Sequence, residues 1–310
     1  MYRVESRYQG FQGEVFVEFP RGTGTGAIAG ALTRAGVVRS RLDFLLARAL
    51  NRGGVLQAGE YRFDRAATPM EIVSRIRRGD VFYYELVVPE GRNMFEIAAT
   101  AEQVGLFKAS AFLDAVHDPA MIRDLDPKAP TLEGYLFPDT YKLSRQTTPE
   151  KLCRAMTARF REAWSGIKTS AGVHDTVTMA SLVEKEGKLP EERPRIAAVF
   201  TNRLRIGMKL DCDPTTIYAA LLEHRYRGTI YRSDLDRDNR YNTYHYTGLP
   251  PGPIANPGLA SIRAALAPAD IDALYFVARA DGSGGHEFSS TIAAHESAVT
   301  RYHRALRKLR

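Results

Sequence analysis

Cysteine is scarce in this chain, with only Cys153 and Cys212 among 310 residues. Two thiols exclude a disulfide scaffold and a multi-cysteine metal site, leaving one bridge as the most they could form. Long apolar runs are missing as well. Nothing reaches the roughly 18 consecutive apolar residues that a membrane helix needs, and Met1-Tyr2-Arg3 does not open a signal peptide, so the residues as they stand read as a soluble chain. Several catalytic signatures are also absent. His295-Glu296 lacks the second histidine of H-E-x-x-H, no G-x-S-x-G elbow occurs, and neither cysteine has a papain-like context. No cofactor and no metal are therefore expected.

With 44% hydrophobic and 25% charged residues, the composition is that of an ordinary globular protein, and the length favours two folded units. Lysine and arginine outnumber aspartate and glutamate by 43 to 36, which favours a polyanionic partner such as an acidic wall polymer, a lipid headgroup or nucleic acid. Nucleic acid is the weakest of the three. The basic residues do not interleave with aromatics in an RNP-like pattern, and zinc-finger and basic-zipper spacings are missing.

An internal repeat runs through the first half. Val15 to Phe19 alternates like a strand, Pro20-Arg21-Gly22 turns, and a helix with Ile28 and Leu32 ends at Gly36. Leu86 to Val88, Pro89-Glu90-Gly91, Ile97-Ala98 and Gly105 repeat this passage at one fixed offset. Each copy runs on into an apolar helix, so the two copies are expected to share a core or a sheet. Between them, Ala58 to Phe63 reads as a strand and Pro69 to Ile76 as a helix with proline in its first turn. The Gly22-Thr23-Gly24-Thr25-Gly26 run is not read as a dinucleotide loop, because Ala27 stands where the third glycine belongs and the second copy keeps only Gly91.

A proline- and aspartate-rich passage from Asp118 to Asp139 marks the expected junction. Residues 1–14 form an N-terminal arm, 15–130 a region of two related units, and 131–310 a second domain. The expected fold class is α+β. In the second domain, Thr147 to Trp164 and Glu191 to Ile206 read as helices, and Leu274 to Val277 with His286 to Phe288 as a hairpin. A last helix starts near Ile292, and Arg301, Arg304, Arg307, Lys308 and Arg310 suit its C-terminal end.

Thr176 to Gly187 is an apolar-periodic helix holding Glu184 and Glu186. At about 100° per residue, Glu186 follows Met179, Leu182 and Val183 on one face, while Glu184 lies opposite and is expected to be a solvated surface charge. A carboxyl on a buried face loses hydration, which favours its protonated form and suits a general acid. A buried ion pair of Glu186 with Arg203 or Arg205 fits the same pattern, and at this point both readings stand. Asp213 to Thr216, Tyr241 to Tyr244 and Thr247 to Gly258 form tyrosine- and proline-rich loops. Their hydroxyls, amides and ring faces suit a carbohydrate, or else they are rigid surface loops.

The segments MASLVEKEG, VFTNRLRIGMKLDCDPTTIYA, YNTYHYTGLPPGPIANPG and YFVARADGSGGHEFSSTIAAH, with LEGYLFPDTY and LQAGEYRF, resemble the MltG (YceG-like) endolytic murein transglycosylase family. The match runs from about Val15 to the C-terminus. It implies cleavage between N-acetylmuramic acid and N-acetylglucosamine without water, leaving a 1,6-anhydromuramoyl end and limiting the length of nascent strands. In the family pattern the second glutamate of E-K-E is catalytic, acting first as acid and then as base, which is Glu186 here. Internal attack by the sugar's own hydroxyl removes the need for a second catalytic carboxylate.

On the matched motifs, Asn202, Asp213, Thr215, Tyr241, Asn242, Thr243, Tyr244, Gly248, Leu249 and Pro250 are the expected substrate contacts. The repeat region resembles a LysM-like glycan-binding part. The implied partners are peptidoglycan strands and membrane-bound wall-synthesis enzymes, with no nucleic acid. The implied location is the bacterial envelope, in the periplasm or on the outer face of the inner membrane. Residues 1–14 do not carry the family's transmembrane anchor, and Gly187 stands where threonine or serine is more familiar. A hydrolytic muramidase using Asp213 as second acid, and a non-catalytic wall-binding scaffold, are the competing readings.

Overall fold

The computed structural model describes residues 2–309, and the side chains of 4–307. The chain divides into two compact units, Met1–Glu85 with Lys142–Gln146, and Leu86–Tyr141 with Thr147–Arg310.

The first unit contains α1 (Tyr2–Glu5), β1 (Val15–Phe19), α2 (Thr25–Arg34), α3 (Arg41–Leu50), β2 (Gly59–Phe63) and α4 (Pro69–Arg78). β1 and β2 pair antiparallel with Val17 opposite Tyr61. Strand alternation turns Val17, Phe19, Tyr61 and Phe63 to one face, where they pack with Ile28, Leu32, Phe44 and Ile76. α4 begins with a reciprocal capping box between Thr68 and Glu71 and ends at Gly79, whose φ of 71° is left-handed.

The chain leaves this unit through β3 (Tyr84–Val87). The second unit then holds α5 (Met94–Gln103), α6 (Ala109–Val116), a 3-10 turn at Pro119–Met121, the first half of β4 (Thr140–Leu143), α7 (Pro149–Ser165) and α8 (Val173–Glu186). After a 3-10 turn at Pro190–Glu192 come α9 (Arg193–Arg205), α10 (Asp213–Leu222), α11 (Arg232–Leu235), α12 (Leu259–Leu266), the hairpin β5 (Tyr275–Ala278) and β6 (His286–Ser289), and α13 (Ile292–Leu309). Small paired strands set among many helices make the protein α+β.

The repeat is present in the backbone. Gly22 and Gly91 share positive φ (85° and 77°), as do Gly36 and Gly105 (69° and 81°), and the helix ends at Ala35 and Val104 have the same φ and ψ. The copies do not share a core or a sheet, however. β1 pairs with β2 and β3 with β4, and the first copy lies in one unit while the helices of the second lie in the other. α6 packs on α7, and Leu132 donates its N–H to the Val116 carbonyl, so the second copy buries its apolar face within the C-terminal body. The two compact units part at residue 85, with Lys142–Gln146 returning to the first.

α8 is the central helix of the second unit, packed against α9, α10 and α12. Every residue from Thr176 to Val183 is buried. Such a stretch has no solvated face, and Ser181 is satisfied inside the protein: it donates to the Thr178 carbonyl at 2.7 Å and accepts the Ile254 N–H at 3.1 Å. Cys153 and Cys212 are both buried and free. Among the described residues no helix is long and apolar enough to cross a membrane. Arg301, Arg304 and Arg307 are exposed on α13, while the Lys308 side chain and Arg310 lie outside the described residues.

Candidate active site

Helix α8 ends on the two glutamates and stops at Gly187, which leaves helical φ and ψ. Glu184 is not the solvated charge that a single apolar stripe implies. Its side chain is 5% exposed and pairs with Arg193 Nη2 at 2.9 Å, and its second oxygen accepts the Gly258 N–H at 2.9 Å. Because α9 and the chain leading into α12 cover this face too, the carboxylate is satisfied inside the protein and not by water. Glu90 adds a second carboxylate 3.7 Å from Arg193, and burial followed by the charge of Glu184 raises its pKa.

Glu186 is the half-buried member of the pair. Its Oε1 accepts a hydrogen bond from the Cys212 thiol at 3.3 Å. Burial raises its pKa, opposed by the thiol bond; Asp213 raises it further and His286 lowers it. Loss of hydration dominates, so the protonated carboxylic acid persists above the usual carboxylate range. The ion pair with Arg203 or Arg205 is not formed. Arg203 donates to the Leu274 and Leu210 carbonyls at 2.7 and 2.8 Å and sits 3.7 Å from Asp211, while Arg205 reaches only Asn202, at 3.5 Å.

The segment before α10 brings Cys212 to Glu186. Asp211 has φ 47°, a left-handed conformation that costs a non-glycine residue about 1 kcal/mol or more and persists only where the surroundings impose it. Those surroundings are Thr215 and Thr243. Cys212 N–H donates to Thr243 Oγ1 at 3.1 Å, the Cys212 carbonyl accepts Thr215 Oγ1 at 2.6 Å, and the two threonine hydroxyls bond each other at 2.8 Å.

The expected substrate contacts separate into two groups. Thr215, Thr243, Asn242 and Pro250 are buried. Asn242 gives its amide to the Asp234, Leu235 and Arg237 carbonyls and accepts from Thr216 and the Tyr244 N–H. Asn202 spends its amide on the Ile271 and Ala273 carbonyls at 2.8 and 3.0 Å. The polar residues of this group hold loops in place, because their hydrogen-bonding capacity is used internally. Asp213 is exposed, and Tyr241, Tyr244, Gly248 and Leu249 are half-buried; Tyr244 donates its hydroxyl to Asp213 Oδ1 at 2.6 Å. The Thr247 to Gly258 loop is buried from Gly252 onward, so it caps the core at that end.

His286 was not legible as a site residue. Glu192 Oε2 bonds its Nδ1 at 2.8 Å, and both Glu192 oxygens accept its backbone N–H at 3.0 Å. This fixes the ring within electrostatic reach of Glu186. Its only sequence signal is its place at the start of the hairpin's return strand. Among the described residues, no group of three or more histidine, cysteine or acidic side chains could hold a metal ion.

The sequence pattern of the YceG-like family matches residues 17–301. The chain is 33% identical over 309 residues to the endolytic murein transglycosylase of Bacillus subtilis, spanning 93% of this chain and 84% of that protein. It is 33% identical over 297 residues to the endolytic murein transglycosylase of Streptococcus pneumoniae D39, spanning 85% of this chain and 54% of that protein. The crystal structure of a yceG-like protein from Listeria monocytogenes superposes with a TM-score of 0.59 at 32% identity, covering 92% of this chain and 99% of the other. With the family pattern spanning nearly all of both units, the chain belongs to the YceG-like family.

Proposed function

We propose that this protein is an endolytic murein lytic transglycosylase in which Glu186 is the catalytic acid and base. The reading is carried by the half-buried Glu186 carboxyl, raised in pKa by burial and free of any arginine partner among the described residues. The protonated acid gives its proton to the glycosidic oxygen as the bond from that oxygen to the muramic acid C1 breaks. The resulting carboxylate takes the proton of the same sugar's C6 hydroxyl as that oxygen closes on C1. The proton count balances, no water enters, and the product is a 1,6-anhydromuramoyl end.

Asp213, Tyr244, Tyr241, Gly248 and Leu249 form the sugar-contacting set, supported by the exposure of Asp213 next to Cys212, its bond from Tyr244, and the partial exposure of the other three. The buried Asn242, Thr215, Thr243, Pro250 and Asn202 support these loops from behind. Residues 15–130 act as a LysM-like glycan-contacting region, a reading supported by the repeat and the family resemblance. The setting is the cell envelope, where wall-synthesis enzymes would be the neighbouring partners.

Digestion of purified peptidoglycan followed by mass analysis tests the reaction. Anhydro ends support the transglycosylase. Reducing ends one water heavier would favour a muramidase using Asp213, and retention of peptidoglycan without released fragments would favour a wall-binding scaffold.

A further inference from the structure

Cys212 is 1% exposed, and its thiol is directed at Glu186 Oε1. A buried cysteine ordinarily serves as a small apolar filler. Here the backbone is held in place for it. The left-handed Asp211 precedes it, Thr243 binds its N–H, and Thr215 binds its carbonyl. Two threonine hydroxyls and one strained residue thus fix the backbone of a single residue whose side-chain donor is spent on one carboxylate oxygen.

We propose that Cys212 is a positioning residue for Glu186, its thiol fixing the carboxyl in the orientation in which it meets the glycosidic oxygen. The proposal rests on the catalytic reading of Glu186 given above. A thiol is a weak donor, so it holds the oxygen without strongly stabilising the ionised form. A hydroxyl in its place would stabilise the carboxylate more, and a methyl group would not stabilise it at all. The other groups coupled to Glu186 are Asp213 at the start of α10 and His286 on β6. On its own helix, Glu184 is turned to Arg193, and Lys185 Nζ to the Gly91 carbonyl at 3.2 Å. From α9, Arg193 and Arg203 are engaged elsewhere, and from α12 Arg263 is exposed.

The test joins two measurements on the full chain. In the first, kcat for anhydro-product release is followed against pH. Cys212→Ser should move the alkaline limb down by about half a pH unit and Cys212→Ala up by a similar amount, with KM little changed. Lower kcat with both limbs unmoved would reduce Cys212 to a packing residue and overturn the proposal. In the second, the infrared S–H stretching band of Cys212, assigned by its loss in Cys212→Ala against the Cys153 band, is followed through the same pH range. It should shift as Glu186 ionises and stay fixed in Glu186→Gln, and a band insensitive to pH in the unaltered protein overturns the contact. If Glu186→Gln retained activity, the catalytic reading would fail and positioning for catalysis with it, while the infrared arm would still decide whether thiol and carboxyl are coupled.

Discussion

Glu184 and Arg193 face each other at 2.9 Å inside the protein, two positions before the half-buried Glu186. The bond ties the end of α8 to the start of α9, and through Gly258 N–H to the chain entering α12. Breaking a buried pair by removing one partner leaves the other charge uncompensated. Glu184→Gln and Arg193→Met should each lower the unfolding free energy by about 3–5 kcal/mol, read by urea denaturation. Losses within experimental error would show that water reaches the pair.

Glu186 should behave in the opposite way. Glu186→Gln keeps the shape and removes a carboxyl whose ionised form burial disfavours, so the thermal midpoint should not fall. Fragment release should drop by about 10²- to 10⁴-fold, the usual contribution of a positioned acid. Because the raised pKa belongs to a group that must be protonated to act, the high-pH decline of activity should be displaced upward from the ordinary carboxylate range. Rates that fall already at the pKa of a free glutamate would contradict this environment.

Glu133 gives the stability a pH dependence of known sign. Burial outweighs its hydrogen bonds from the Met94 N–H and from Tyr218 and raises its pKa from 4.5 to about 8. Between these values the folded protein keeps the proton and the unfolded chain loses it, so stability falls as pH rises from 4.5 toward 8 and levels off beyond. The slope is at most about 1.4 kcal/mol per pH unit. Urea midpoints measured across this range should decline in the unaltered protein and decline less in Glu133→Gln.

Gly187 lets α9 approach the end of α8. A Cβ there would lie 3.0 Å from both Arg193 Cγ and the Val183 carbonyl oxygen. Gly187→Thr should therefore cost about 1–3 kcal/mol through overpacking. The loss should shrink when Arg193→Ala is already present, since alanine removes the crowding Cγ. Strict additivity in that double-mutant cycle would place the strain elsewhere.

Local rules reached the elements of the first unit from β1 onward and the long helices of the second, but not α10, which begins at Asp213 where a loop is expected, nor α11 and α12. Thr68, Thr148 and the Pro69 and Pro149 starts are helix signals readable in isolation, and Gly22, Gly36, Gly91 and Gly105 occupy left-handed positions that their sequence offset already marked. What failed was everything that depended on a second covered face. Periodicity separates Glu184 from Glu186, but it cannot show that α9 and the α12 approach cover the Glu184 side as well. Thr215, Thr243 and Asn242 look like sugar ligands because short polar side chains serve loops and ligands equally. Cys212 was silent for a related reason, since nothing in a sequence distinguishes a buried thiol that fills space from one that meets a carboxylate.

Asn256 lies buried where three distant stretches of chain meet. Its side chain accepts from the Gly134 and Leu136 N–H groups and donates to the Arg92 carbonyl and Glu133 Oε1, while its backbone exchanges hydrogen bonds with Gly91 and Arg92. The side-chain partners precede it by as many as 164 residues. Such closures are slow because a long loop must be ordered before its contacts form. On the ribosome, the segment from Arg92 to Leu136 emerges long before the residue that completes it. That segment must wait with water on the N–H groups of Gly134 and Leu136, so this unit cannot become whole until Asn256 has been made.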